Sequence, residues 1–164
     1  MKKPFILWFH EISSEDVHLV GGKNASLGEM ISKTKVPVPD GFAITSYAYR
    51  YFIKYSELED YIRERLEGLN TRDIKKLHRV GESIRTAIRN AKMPADLERE
   101  ILKAYDRMCR KFKTKNLFVA VRSSATTEDL PTASFAGQQE TYLNVTRKQL
   151  IAVSYTHLTL PTKA

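Results

Sequence analysis

One cysteine, Cys109, is all that the 164-residue chain carries, so no intramolecular disulfide can staple it. Long apolar runs are also missing. Phe5-Ile6-Leu7-Trp8-Phe9 follows Lys2 and Lys3, but it is too short for a signal peptide core or a membrane span. The expectation is a cytoplasmic protein with no membrane partner. No internal repeat or low-complexity segment is evident, which argues against a solenoid or a structureless tether. The G-x-x-x-x-G-K-[ST] spacing of a Walker A loop is absent, so the chain is not a P-loop nucleotidase. Flanking RNP-like strand motifs are absent too, which leaves the tyrosines near Arg50 without the context of an RNA-stacking platform.

Acidic residues are the scarcer charge. There are 19 Asp+Glu against 27 Lys+Arg, a net charge of +8. That surplus favours polyanions such as a nucleotide, a nucleic acid or an acidic lipid. It is spread through helical segments rather than gathered in one block, as on a helix surface laced with ion pairs. Hydrophobic content of 42% at this length supports one packed domain.

Val119 to Val145 is the most informative stretch. Leu117-Phe118-Val119-Ala120-Val121 has the length and β-branching of a buried strand, and Arg122 stands at its end. Ser123, Ser124, Thr126 and Thr127 follow, then Glu128 and Asp129, then the breaker pair Leu130-Pro131. A second strand-like run, Thr141 to Val145, closes the stretch. A strand that empties into small hydroxyls and one guanidinium suits an anion, since arginine offers a bidentate fork and the hydroxyls complete a cradle. The alternative is an ordinary polar loop with a surface arginine, and the residues of this stretch alone admit both.

Gly21-Gly22-Lys23 precedes Leu27, Met30 and Ile31 at helical spacing, so the triplet falls at or just before a helix start. Glycines there permit unusual dihedrals and close ligand approach, and a helix N-terminus carries a partial positive charge. A phosphate site and a flexible turn with an exposed lysine are both consistent with it. Phe5 to Phe9 and Phe42 to Ile44 read as strands, and Thr45 or Ser46 caps the next helix. Three amphipathic helices follow. The first begins at a capping-box pattern, Ser56-Glu57-Leu58-Glu59, with the stripe Leu58, Ile62, Leu66 and Leu69. The second carries Ile74, Leu77, Val80, Ile84, Ile88 and Ala91. The third opens near Pro94 and carries Leu97, Ile101, Tyr105, Met108 and Phe112. His78 and Cys109 lie within these helices, without partners at nucleophile or metal-ligand spacing.

The blocks GGKNASLGEM, VPVPDGFAIT and AVRSSATTEDLPTASFAGQQETYLNV, in that order, resemble the N-terminal nucleotide-binding region of the phosphoenolpyruvate synthase (pyruvate, water dikinase) family. Pyruvate phosphate dikinase and rifampicin phosphotransferase share this domain type. The resemblance runs from about Ile6 to Val145. It implies an α+β chain, an ATP-grasp-like nucleotide-binding lobe with a helical insert over about 56–113. The partial ATP-binding domain would cover 1–152. ATP is the implied cofactor. Lys23 matches the lysine on the ATP phosphates, and Arg122 the phosphate-binding arginine, the one residue here with a catalytic part. Gly137, Thr141 and Tyr142 match positions that line the nucleotide.

In the family, ATP phosphorylates a histidine on a separate domain, which hands the phosphoryl group to pyruvate in another domain to give phosphoenolpyruvate, AMP and phosphate. Pyruvate would therefore be met only through domains not present here. Mg²⁺ is implied with ligands on a second lobe. Glu128, Asp129, Gln138, Gln139 and Glu140 are local oxygen donors, but no metal ligand is assigned among them. His10, His18, His78 and His157 lack the context of the phosphohistidine motif. The chain departs from the family after Val145: from about Val153, VSYTHLTLPTKA carries one charge, Lys163, and shows no apolar helical period. The expectation is a truncated or misassembled gene product with an unrelated tail over 153–164, inactive alone and with apolar surface that a second lobe would cover. Oligomeric state is left open. A different phosphotransferase of the family, a nucleotide-sensing lobe without catalysis, and a basic nucleic-acid-binding module stand as the other readings.

Overall fold

The apolar run near the start pairs with the one that follows Asp40-Gly41. In the computed structural model, β1 (Ile6–Trp8) runs antiparallel to β2 (Phe42–Ile44), with Ile6 opposite Ile44 and Trp8 opposite Phe42. Backbone bonds prolong the ladder at both ends, Phe9 N–H to Gly41 O at 3.0 Å and Thr45 N–H to Phe5 O at 3.0 Å. The structure describes residues 3–34, 37–70, 72–124, 126 and 141–158, the last four by backbone alone.

Between the strands, two single 3₁₀ turns (Phe9–Glu11 and Ser14–Asp16) lead into α1 (Val17–Val20) and α2 (Gly22–Lys33). Carboxylates cap both turns: Glu11 accepts the Trp8 N–H at 2.9 Å, and Asp16 accepts the Ser13 N–H at 2.9 Å while the Ser13 hydroxyl accepts the Glu15 N–H at 3.3 Å. After β2 comes α3 (Ser46–Tyr55), and its cap is Thr45. The Thr45 hydroxyl accepts the Ala48 N–H at 3.2 Å and donates to the Pro4 carbonyl at 2.8 Å, so one buried side chain starts the helix and ties down the chain's beginning. The tyrosines of α3 pack among aromatic neighbours: Tyr47 and Tyr51 lie 5.6 and 4.9 Å from the Phe5 ring, and Tyr51 donates to Asp96 at 2.9 Å.

The three amphipathic helices are α4 (Leu58–Leu66), α5 (Ile74–Asn90) and α6 (Ala95–Lys111). The capping box expected at Ser56 does not form. Ser56 closes α3 instead, its N–H bonded to Phe52 O, and Glu57 turns into the left-handed region at φ 54° before α4 begins with no side-chain cap. The two helices are joined too tightly for Ser56 to serve the second. The stripes bury their middles and leave their ends out: Ile84 and Ile88 are core, whereas Ile74, Leu66 and Phe112 are exposed.

Helix α6 is the innermost, with Leu97, Ile101, Ala104, Tyr105, Met108 and Cys109 buried. Leu97, Ile101, Tyr105 and Cys109 join Phe52, Ile84, Ile88, Val145 and Leu150 in one cluster. Ala104 and Met108 join Trp8 in another, on which Ile6 and Phe42 of the first sheet, Val119 of the second and Leu117 just before it converge. The second sheet pairs β3 (Val119–Arg122) antiparallel with β4 (Thr141–Val145).

α7 (Arg147–Leu158) completes the described elements and runs through position 153, where the sequence suggested that no helix would begin. The missed signal is Thr146-x-x-Gln149: the Gln149 side chain accepts the Thr146 N–H at 3.2 Å, one half of a capping box. Leu150 and Ser154 are buried one turn apart, and the Ser154 hydroxyl donates to Leu150 O at 2.7 Å. Among the described residues no helix is long and apolar enough to cross a membrane. The mixed helix and sheet content agrees with the α+β class.

Tyr105 is the polar pin of this core. Its buried hydroxyl lies 2.6 Å from the Leu117 carbonyl and 3.1 Å from Asn116 Oδ1, fixing the approach to β3. Burial pushes its pKa above the ordinary tyrosine value, so the folded state favours the neutral phenol. Its stabilising contribution is therefore complete below the unfolded value of about 10 and is lost as pH rises through the folded one. Tyr105→Phe is expected to cost about 1–3 kcal/mol at neutral pH, because the Leu117 carbonyl loses its partner. It should also flatten the fall of stability above pH 10. Denaturant unfolding followed against pH checks both effects.

Candidate functional site

Two places in the structure carry the residues that the sequence marks for an anion. The first is the start of α2. Gly21 separates α1 from α2: its N–H bonds Val17 O at 2.8 Å, ending one helix, and its carbonyl accepts the Ala25 N–H at 3.1 Å, beginning the next. It does so at φ 77°, ψ 162°, a region open essentially only to glycine. The Asn24 amide donates to Val20 O at 2.7 Å and satisfies the end of α1. Gly28 has a different reason to be glycine, since a Cβ there would lie 2.3 Å from the Ile12 carbonyl oxygen. The motif GGKNASLG thus encodes one backbone corner and one close helix contact.

Lys23 stands at the second position of α2, half-buried. The first turn of this 12-residue helix contains no acidic residue and has no side-chain cap. Its positive end is therefore not compensated from within the helix, and the lysine adds a full charge beside it.

The second place is the end of β3. Arg122 is exposed and lies opposite Thr141, and Val121 lies opposite Tyr142. Three of the expected site residues, Arg122, Thr141 and Tyr142, are thereby brought onto one ladder. Between Val119 and Val121 the register slips, because β4 holds one residue more than β3, and Asn144 takes φ 56°. The bulge leaves both Leu143 and Asn144 facing out. Neither periodicity nor turn chemistry announced it.

Just beyond Arg122, the hydroxyl oxygens of Ser123 and Ser124 are buried and have no hydrogen-bond partner among the described residues. A buried hydroxyl without a partner costs about 1–3 kcal/mol, and an oxyanion accepting from both would relieve it. Gly137, Glu128, Asp129, Gln138, Gln139 and Glu140 lie outside the described residues. Among those described, no group of three or more His, Cys, Asp or Glu side chains is placed to hold a metal ion.

Lys23 and the Arg122 ladder belong to different substructures. The main packing neighbours of α2 are the two 3₁₀ turns and α1, around Ile12, Val20 and Ala25, whereas β3 and β4 pack on α7. What connects them is α6, against which both sheets rest.

A test of the α2 corner follows from the glycines. Gly21→Ala is expected to destabilise by about 1–3 kcal/mol through backbone strain. Gly28→Ala should cost at least as much, because the Ile12 backbone must yield. Thermal unfolding by circular dichroism measures both, and unchanged melting in either would contradict the geometry.

Comparison with known proteins covers most of the chain. The family model described as the pyruvate phosphate dikinase AMP/ATP-binding domain matches residues 17–158. Phosphoenolpyruvate synthase of Aquifex aeolicus is 52% identical over 155 residues, 93% of this chain and 18% of that protein. Probable phosphoenolpyruvate synthase of Staphylothermus marinus is 51% identical over 146 residues, 88% of this chain and 17% of that protein. Phosphoenolpyruvate synthase of Synechocystis is 51% identical over 147 residues, 85% and 18%. The chain thus spans less than a fifth of the length of these curated relatives. Within that span, the stretch from Val17 through the glycine corner of α2 to the arginine ladder and α7 places the protein in the family of the pyruvate phosphate dikinase AMP/ATP-binding domain.

Proposed function

We propose that the chain is the first lobe of an ATP-grasp-like nucleotide-binding domain and that it holds ATP by its phosphates. Lys23 and Arg122 supply the cations, and Gly137, Thr141 and Tyr142 line the nucleotide. The observation that carries this reading is the pair of buried, unpartnered hydroxyls on Ser123 and Ser124, directly after Arg122, in a chain of an AMP/ATP-binding family. The uncapped, acid-free first turn of α2 beside Lys23 supports it independently.

Phosphoryl transfer is mostly positioning and charge neutralisation, so a lysine and an arginine on the phosphates are the expected share of this lobe. Arg122 would orient a phosphate through its fork, and the hydroxyls of Ser123 and Ser124 would donate to the same oxyanion. Residues outside this chain would hold Mg²⁺, which would supply further neutralisation of phosphate charge. In the longer protein, we propose, ATP, pyruvate and water give AMP, phosphoenolpyruvate and phosphate: one phosphoryl group reaches pyruvate through a histidine carried outside this chain, and the other is released to water as phosphate. The names of the relatives support phosphoenolpyruvate synthesis over the other phosphotransferases of the family. The same reading places the protein in the cytoplasm, and it makes the chain inactive by itself.

Lys23→Ala and Arg122→Ala are each expected to raise the Kd for ATP at least about tenfold, the effect of losing a charge-assisted hydrogen bond worth roughly 1.5–3 kcal/mol. Isothermal titration of the chain with ATP, with folding checked by circular dichroism, is the measurement. Equal affinity in both variants and the parent would remove the phosphate roles.

A further inference from the structure

A second convergence of positive charge lies on the other side of β1, at the end of α6, and the nucleotide reading does not use it. Trp8, His10, Asp40, Arg107, Arg110 and Lys111 line a cleft of about 390 Å³. Its floor is the Trp8 ring, which is only 8% exposed and has the Phe42 ring edge-on at 5.6 Å. The Arg107 guanidinium lies 4.5 Å over that ring, and the His10 ring is stacked 6.4 Å from it.

On several helix faces, cations are paired with a carboxylate of their own helix. Lys33 pairs with Glu29, Arg63 with Asp60, Arg85 with Glu82 and Lys103 with Glu100. At the cleft this pattern stops. Its one carboxylate, Asp40, is held by Lys111. Arg110 has no ion-pair partner among the described residues, and Arg107 has only the indole beneath it. Cations in the last turn of α6 do complement the helix dipole. That effect needs no aromatic floor and no histidine from another element, and both are present.

Stacking on an aromatic face holds a guanidinium flat while its N–H edge stays available for a second, in-plane partner. Arg107 and Arg110, three residues apart on α6, lie on one helix face. With Asp40 committed to Lys111, the local field favours an anion. We infer that this cleft is a binding site for an oxyanion, phosphate or carboxylate, taken up by the N–H edges of Arg107 and Arg110 over Trp8. The inference does not depend on the nucleotide reading, because none of these residues belongs to it.

Trp8 is the chain's single tryptophan, so its fluorescence reports on this cleft. The experiment titrates the full chain with inorganic phosphate and, separately, with citrate, against sodium chloride at matched ionic strength. A saturable change with phosphate, citrate or both is expected, and the stronger titrant names the oxyanion class. Arg110→Gln, at an exposed position that does not touch the indole, should raise the midpoint at least about tenfold. Asp40→Asn should lower it, since it removes the opposing charge and releases Lys111. Three results would overturn the site: no saturation beyond the chloride control, a midpoint unmoved by Arg110→Gln, or one moved only by Arg122→Ala.

Discussion

Both two-stranded sheets of this protein rest on one buried helix. α6 presents an apolar face to both two-stranded sheets at once, through Ala104 and Met108, and Tyr105 adds the one polar tie from that face to the chain leading into β3. A pair of strands is marginal in water by itself. Here each pair borrows its hydrophobic backing from the same helix. The spacing between the glycine corner and the arginine ladder is therefore a property of α6 packing rather than of any contact between the two. Six residues of α6 are buried accordingly, while its C-terminal part keeps Arg107 and Arg110 for the cleft over Trp8.

The surface charge divides into two kinds. One kind is paired along its own helix, as Arg63 with Asp60, Arg85 with Glu82 and Lys103 with Glu100, where the pairs are largely exposed and worth little each. They keep the helices soluble and cancel one another. A second kind stands where backbone or aromatic groups reinforce it: Lys23 at the uncapped start of α2, Arg122 just before two buried hydroxyls in sequence, and Arg107 over Trp8. The net charge of +8 is thus less informative than the places where its cations stand. A family that binds AMP or ATP needs such local excess, because phosphate recognition rewards donors fixed in advance.

Local signals were readable where one residue type had one physical use. The strand from Ile6 to Trp8, the strand from Phe42 to Ile44 and the cap at Thr45 followed from β-branching, turn residues and side-chain chemistry. Ser56 misled because a serine near two helices can serve either, and only the tightness of the α3–α4 joint decided that it ends the first. α7 was missed because its sequence has little apolar period, while its start rests on Gln149 reaching back to Thr146. The bulge at Asn144 left no mark in the pattern, since asparagine tolerates left-handed dihedrals without requiring them.

The amino-acid order alone determined the chemistry on offer: a lysine after twin glycines, an arginine before a row of hydroxyls, and the family these blocks share. It did so because those choices are local, dictated by dihedral freedom, donor geometry and charge. Tertiary structure decided which of them meet. Thr141 and Tyr142 reach Arg122 only through strand pairing across a long separation. The cations of α6 meet Trp8 and His10 only because a sheet packs on that helix. Contacts between distant segments depend on how apolar faces are buried together, and no single stretch of chain contains that information.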